Sequence, residues 1–348
     1  MPAGIAKSLR RDLRTMANGF WQGRQVLVTG ADGFIGSHLV ERLYSKGANV
    51  RAFCFYNSNS SLGWLDGAES AVRRNLDVRL GDVRDARFVE EACANIDTVF
   101  HLAALIAIPY SYQAPESFLD TNVKGTLNVL EAVRRAGCRR MIQTSTSEVY
   151  GTPASTPILE THPLQGQSPY SASKIAADKL CEAFHRSFKV PVVTLRPFNT
   201  YGPRQSMRAV LPTILFQLLS GKEKVKLGRL DPKRDLTYVE DTVDGFIRAG
   251  EAKDIDGDII QLGTGNAISV GDLFIVACKV FGCKAEVEQE VDRFRPEDSE
   301  VYVLQSDPTK AKSLLGWEPN IGLEEGISRT GSWIKKHLNL FNSEHYQI

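Results

Sequence analysis

Residues 25–36 read Gln25-Val26-Leu27-Val28-Thr29-Gly30-Ala31-Asp32-Gly33-Phe34-Ile35-Gly36, and Ser37 to Lys46 continue with apolar residues at helical spacing. A short β-branched run, three glycines at three-residue spacing and a helical pattern predict a strand, a tight turn and a helix. Glycine allows the turn, lets backbone N–H groups approach a pyrophosphate, and lets helix pack closely on strand; the helix N-terminus favours the anion. A glycine triplet alone is weak, and G-x-x-G-x-x-G departs from the common G-x-G-x-x-G dinucleotide fingerprint. Its place between strand and helix gives it weight.

Outward from this unit the alternation continues. Asn49 to Phe55, Val78 to Gly81, Asp97 to Leu102, Arg140 to Thr144 and Val192 to Leu195 are predicted strands, with helices near Arg87 to Ala94, Pro115 to Ala136 and Tyr170 to Phe188. That pattern predicts an α/β fold, a Rossmann-type doubly wound parallel sheet. Ligands of such sheets bind beyond the carboxyl ends of the strands, where Gly30, Asp82, Ala103, Thr144 and Pro197 fall. Beyond Thr200 the alternation weakens, which predicts a smaller C-terminal substrate-binding domain. The expected division is an N-terminal extension over 1–24, a mainly dinucleotide-binding domain over 25–200 and a mainly substrate-binding domain over 201–340, with interleaving segments.

The 348 residues are 43% hydrophobic and 24% charged, enough for a substantial core, and the formal net charge of +1 gives no overall field for nucleic acid or an anionic membrane. The six cysteines (Cys54, Cys93, Cys138, Cys181, Cys278, Cys283) are scattered, without C-x-x-C or a histidine at zinc-ligand spacing. They read as free thiols in a reducing cytoplasm, and no metal site is expected. No apolar run approaches the roughly 18–20 residues that span a bilayer. Met1 to Arg24 is basic without an apolar core, so it reads as a helical extension or remnant, with an organelle transit peptide as the lesser alternative. The six histidines show no ligand or triad spacing and read as structural or exposed.

The chemistry is expected in Thr144-Ser145-Thr146-Ser147-Glu148-Val149-Tyr150-Gly151 and Pro169-Tyr170-Ser171-Ala172-Ser173-Lys174. Tyr170 and Lys174, four apart on a helix, share a face, so an ammonium beside the phenol should lower its pKa and make Tyr170 a base, with Thr146 orienting the same substrate hydroxyl. On its own such a pair is more commonly a solvated surface pair.

Taken with the glycine turn, these motifs match in order and type those of a known family over about residues 25–335. The chain resembles the extended short-chain dehydrogenase/reductases, specifically the nucleotide-sugar epimerase/dehydratase group. The resemblance implies that Gly30, Gly33 and Gly36 form the pyrophosphate turn lined by Asp32, Phe34 and Ile35, and that Asp82 and Val83 meet adenine. It further implies that Leu102, Ala103 and Ala104 pass under the nicotinamide riboside, and that Thr144, Tyr170, Lys174 and Pro197 border the cofactor. Asn57, at the end of the second strand, is assigned to the cofactor as well. The implied cofactor is NAD; because Phe53-Cys54-Phe55-Tyr56-Asn57-Ser58 contains no acid to repel a 2′-phosphate, NADP stays open.

Thr146-Ser147-Glu148 resembles the Thr-Ser-Glu of GDP-mannose 4,6-dehydratases, where the common 4-epimerases carry a small or apolar residue in place of the Glu. A carboxylate there suits removal of the C5 proton once C4 is a ketone. Ser147 stands where dTDP-glucose 4,6-dehydratases have Asp, so either Glu148 serves as base and acid or Ser147 relays a proton. UDP-glucuronate decarboxylases can share this triplet, which keeps decarboxylation and 4-epimerisation as alternatives; a non-catalytic dinucleotide sensor would have no use for Thr146, Tyr170 and Lys174 together. Phe55 to Asp66, Arg196 to Ser206 and Arg293 to Glu300 further resemble 4,6-dehydratases acting on GDP- or UDP-N-acetylglucosamine in legionaminic-acid-type pathways. Asn199, Arg204, Arg234 and Arg295 are then expected on the nucleotide sugar, and Asp241 is expected to cap a helix. Apolar positions Leu127, Leu130, Val133, Ile175, Leu180 and Phe184 predict a homodimer through a four-helix bundle, as in the family.

Overall fold

The computed structural model describes residues 19–340. Seven strands, all paired in parallel, form the main sheet: β1 (Gln25–Thr29), β2 (Asn49–Phe55), β3 (Asp77–Gly81), β4 (Thr98–His101), β5 (Arg140–Thr144), β6 (Val192–Pro197) and β7 (Ile259–Leu262). Their order is β7-β6-β5-β4-β1-β2-β3, so the strand order reverses between β1 and β4. A strand buried on both faces is apolar through its middle, and β1 is: Val26 and Val28 join one core, Leu27 the other. On the first face α1 (Phe34–Ser45) and α4 (Val239–Glu251) pack together; on the second lie α2 (Gly125–Ala136) and α3 (Pro169–Phe188). Ser168 starts α3 with a reciprocal capping box to Ser171, and Pro169 occupies the first turn.

The predicted strands are present, with ends displaced by at most two residues. β7 was not expected: chain beyond Thr200 returns to the main sheet, beside β6. The remaining strands build small sheets around Lys233–Tyr238, which pairs with Asn199–Tyr201, Ala267–Ser269 and Val303–Leu304. Lys224–Leu227 pairs separately with Glu286–Gln289.

Three expectations need correction. The helix predicted from Pro115 to Ala136 is interrupted by a π-helical stretch, Leu119–Lys124, before α2 begins. Within that stretch the buried Asn122 holds the backbone of Leu105 through bonds of 2.8 and 2.9 Å. Residues 19–24 are not an appended extension: Trp21 is 1% exposed, donates to Glu251 at 2.5 Å, and sits where a side chain at Gly250 would collide with its ring. The rest of that basic stretch lies outside the described residues. Asp241 is not a helix cap; buried in the first turn of α4, it accepts from the N–H groups of Asn320 and Ile321, each at 3.0 Å, and so fixes the C-terminal segment.

Candidate active site

Because every strand of the main sheet is parallel, the chain leaves each carboxyl end on the same edge, and this gathers the expected cofactor residues. Gly30, Asp32, Gly33, Phe34, Ile35 and Gly36 form the junction of β1 and α1; Asn57 follows β2, Asp82 and Val83 follow β3, and Leu102, Ala103 and Ala104 follow β4. Thr144 and Pro197 end β5 and β6. Glycine is required at two points of the turn. Gly30 has φ +67°, and a Cβ there would lie 2.8 Å from the Ala103 nitrogen; a Cβ on Gly36 would overlap the Gly30 carbonyl oxygen. Thr29 Oγ1 accepts from the N–H groups of Leu102 and Ala103, both at 3.2 Å, and meets His101 Nδ1 at 2.7 Å, so the end of β4 is tied to the turn.

The side chains around this edge are less uniform in what they do. Asp32 accepts from Phe55 N–H at 3.2 Å, and its carboxyl is raised above the ordinary range by burial. Asn57 is committed to its own loop, bonding Phe55, Asn59 and Ser61. Asp82 is clasped by Arg84, whose hydrogen bond holds the carboxyl below its usual value. Thr144 Oγ1 is buried and has no hydrogen-bond partner among the described residues.

The catalytic candidates converge from β5 and α3. Thr146 caps the 3₁₀ turn Ser147–Tyr150, its hydroxyl accepting from Glu148 N–H at 3.2 Å. That turn buries Ser147 and leaves the Glu148 carboxylate side chain 12% exposed. Tyr170 is buried against Phe118 and hydrogen-bonded to Thr146. Its phenol differs from the expectation: burial raises its pKa, the Thr146 bond opposes this, and the charges of Glu148 and Asp178 add to the rise. The Lys174 ammonium is held 2.6 Å from the Thr144 carbonyl, and burial lowers its own pKa. Burial disfavours the charged phenolate, and the four-residue spacing to Lys174 does not reverse this.

Arg234 and Arg295 meet the same carboxylate. Arg295 Nη1 is 3.8 Å from Glu148 Oε2 and 3.9 Å from Glu300 Oε1, and Arg234 Nη2 lies 3.3 Å from Glu300 Oε1. Two guanidinium groups and two carboxylates thus alternate, with Arg234 and Glu300 buried. Glu300 was not among the predicted residues, although it ends the quoted Arg293 to Glu300 stretch; an acid five residues beyond Arg295 was the available signal. Beside it, Tyr112 hydroxyl donates to Ser299 Oγ at 2.6 Å, and Ser299 donates to the Gln167 carbonyl at 2.6 Å, so the segment closes over the start of α3. Asn199 follows β6, its Oδ1 buried and without a partner among the described residues. Arg204 is not part of this cluster: with φ +71° it forms a bidentate pair with Glu41 (2.9 and 3.0 Å) and donates to Ser37 at 3.1 Å, which ties its loop to α1.

Comparison with known proteins places relatives of several activities beside this arrangement. The profile of the family described as GDP-mannose 4,6 dehydratase matches residues 27–330. A UDP-glucose 4-epimerase of Mycolicibacterium smegmatis is 32% identical over 88% of this chain and 97% of its own. UDP-glucuronic acid decarboxylase 4 of Arabidopsis thaliana is 33% identical over 87% of this chain and 67% of its own. Among solved structures, the dTDP-glucose 4,6-dehydratase of Streptomyces venezuelae, solved with NAD bound, superposes with a TM-score of 0.83 at 27% identity, covering 91% of this chain and 98% of that one.

Proposed function

The chain belongs to the GDP-mannose 4,6 dehydratase family of nucleotide-sugar enzymes, and on that premise we propose that it is an NAD-dependent nucleotide-sugar 4,6-dehydratase acting on UDP- or GDP-N-acetylglucosamine. The observation that carries this reading is Glu148, a carboxylate on the turn capped by Thr146, whose hydroxyl also meets Tyr170. A 4-epimerase leaves the C5 proton in place; a dehydratase must remove it.

The residues at the edge of the sheet fit a dinucleotide. The Gly30 to Gly36 turn leaves no room for side chains at two of its positions, as backbone donors facing a pyrophosphate require, and Thr144 Oγ1 is a buried hydroxyl still free to bond. When bound, NAD would take up hydride from sugar C4 and return it to C6. Tyr170 would receive the O4 proton, with Thr146 sharing that hydroxyl. Burial keeps the phenol protonated at rest, so its own proton must leave to solvent before it can take the one from O4, and the positive charge of Lys174 favours the phenolate so formed. Glu148 would then remove the C5 proton, and water would leave from C6 with a proton from Glu148 itself or relayed by Ser147. Arg234, Arg295 and Asn199 are the groups we assign to the nucleotide sugar, with Glu300 holding the guanidinium of Arg234 in place.

Arg295 gives a second reading its specific support. A guanidinium 3.8 Å from Glu148 would also suit a C6 carboxylate, as a glucuronate decarboxylase needs. Incubation with UDP-, GDP-, CDP- and dTDP-sugars, read by mass spectrometry, separates the outcomes. Loss of water from an N-acetylglucosamine nucleotide supports dehydration, loss of carbon dioxide from a glucuronate supports decarboxylation, and a product of unchanged mass that separates from the substrate by chromatography would indicate epimerisation.

A further inference from the structure

Helix α3 carries a second buried charge that the reaction above leaves unused. Asp178 lies one turn beyond Lys174, on the same face, and both residues are buried. Asp178 Oδ2 accepts from the Ser145 hydroxyl at 2.8 Å and from Arg196 Nε and Nη2 at 3.1 and 2.9 Å. Its Oδ1 is buried and has no hydrogen-bond partner among the described residues. With Lys174 on the Thr144 carbonyl, one turn of α3 therefore grips two successive residues at the end of β5, immediately before Thr146.

Arg196 extends the contact across the site. Its Nη1 donates to the Tyr150 hydroxyl at 2.9 Å, and Gln261 of β7 donates to the same hydroxyl at 2.7 Å. Tyr150 ends the turn that bears Glu148. The chain of bonds thus runs from the Lys174 helix to the Glu148 turn. A buried Asp–Arg pair gives little net stability over apolar packing of the same volume, so the fold alone gives weak reason for it.

We propose that Asp178 is a positioning residue: paired with Arg196, it supplies the negative charge that keeps the buried Lys174 an ammonium, and it fixes the end of β5 that presents Thr146. Among the described residues, the groups facing Lys174 leave Asp178 as its source of negative charge. On α3, burial keeps Tyr170 and Cys181 protonated by raising both; from β4, burial holds His101 neutral, down at about 3; from β6, Arg196 is a cation. Asp178 accordingly opposes the lowering that burial imposes on Lys174.

The catalytic consequence rests on the Tyr170–Lys174 reading; the ionisation of Lys174 does not. It is read in the full chain, without sugar, from the side-chain ¹⁵N resonance of Lys174 across pH, with Lys174→Met to identify the signal. Asp178→Asn should lower the midpoint by about one unit or more, a tenfold rise in neutral amine at a given pH, and Asp178→Glu should restore it. Since Asp178→Asn leaves Arg196 without its counter-charge, the double variant Asp178→Asn/Arg196→Gln removes both charges together and should shift the midpoint in the same direction. An unchanged midpoint in a folded variant, or failure of both variants to fold by circular dichroism, would overturn the proposal and assign the pair to the fold alone. A shifted midpoint stands even where no dehydration is found, and an unshifted one leaves the dehydratase reading to its own test.

Discussion

Replacing Gly36 with alanine perturbs the glycine turn at its tightest point. The added methyl would overlap the Gly30 carbonyl oxygen and lie 2.9 Å from its carbon and 3.1 Å from the Ala31 Cα, all backbone atoms that cannot rotate aside. The turn must move by roughly an ångström, and overpacking of this kind costs about 1–3 kcal/mol, here at the upper end. For a chain of this size about 3 kcal/mol corresponds to a Tm lower by about 5 °C. The same movement misaligns the amide donors at the N-terminus of α1. Losing two hydrogen bonds to a charged acceptor, at about 1.5 kcal/mol each, gives about 3 kcal/mol, or NAD binding weaker by about a hundredfold. Differential scanning calorimetry and titration calorimetry with NAD read the two effects separately. Gly33→Ala is the control: its methyl would sit 3.3 Å from the Gly30 oxygen, which asks for a few tenths of an ångström, so stability should change by less than about 1 kcal/mol. A Gly36→Ala protein with unaltered Tm and unaltered NAD affinity would refute the packing argument.

Acid should destabilise the protein through two histidines. Burial holds His101 down at about 3, with the Lys174 charge adding to it, and holds His38 down at about 4, with the Arg204 charge adding to it. Both stay neutral in the folded chain while the unfolded chain takes up protons below about 6.5, so stability is full above that pH and falls as pH drops toward the folded values. Between pH 7 and 5 the loss is about 2 kcal/mol for His101 and somewhat less for the partly exposed His38; a urea midpoint that does not fall over this range would count against it. Assembly offers another check. In α2, Leu130 and Val133 face the sheet, which leaves Leu127, 37% exposed, with Phe188 of α3, 53% exposed, as apolar groups for a partner copy. Light scattering at micromolar concentration should report a dimer that Leu127→Glu weakens, and a monomeric wild-type chain would end that expectation.

The sheet was legible because its signals are local. Val26, Leu27 and Val28 must all be apolar to lie between two helical layers, and the glycine spacing after them marks a turn, although the close approaches that require glycine at Gly30 and Gly36 are seen only in the fold. β7 was missed because Ile259–Leu262 is a four-residue run whose partner, β6, is distant in sequence. The interruption at Leu119–Lys124 preserves apolar spacing closely enough to read as one helix. At the site, residue types and order located Thr146, Glu148, Tyr170 and Lys174 on neighbouring elements. The direction of the Tyr170 shift was not legible, since it depends on burial by Phe118 and surrounding residues rather than on the four-residue spacing to Lys174. Asp178 was passed over because a Lys and an Asp four apart on a helix normally form a surface pair; only its bonds to Ser145 and Arg196 set it apart. Arg204 reads as a phosphate ligand until Glu41 is found against it.

The central claim is that Glu148 removes the C5 proton, and Glu148→Gln tests it because the amide keeps the shape and loses the base. The variant, given the nucleotide sugar that the wild type dehydrates, is followed in deuterated water by near-ultraviolet absorbance and by mass spectrometry of the sugar. The account predicts that oxidation at C4 still occurs, seen as absorbance of reduced cofactor that persists on the enzyme, while C5 takes up no deuterium and no water is lost. Dehydration at close to the wild-type rate, with deuterium still entering C5, would contradict it.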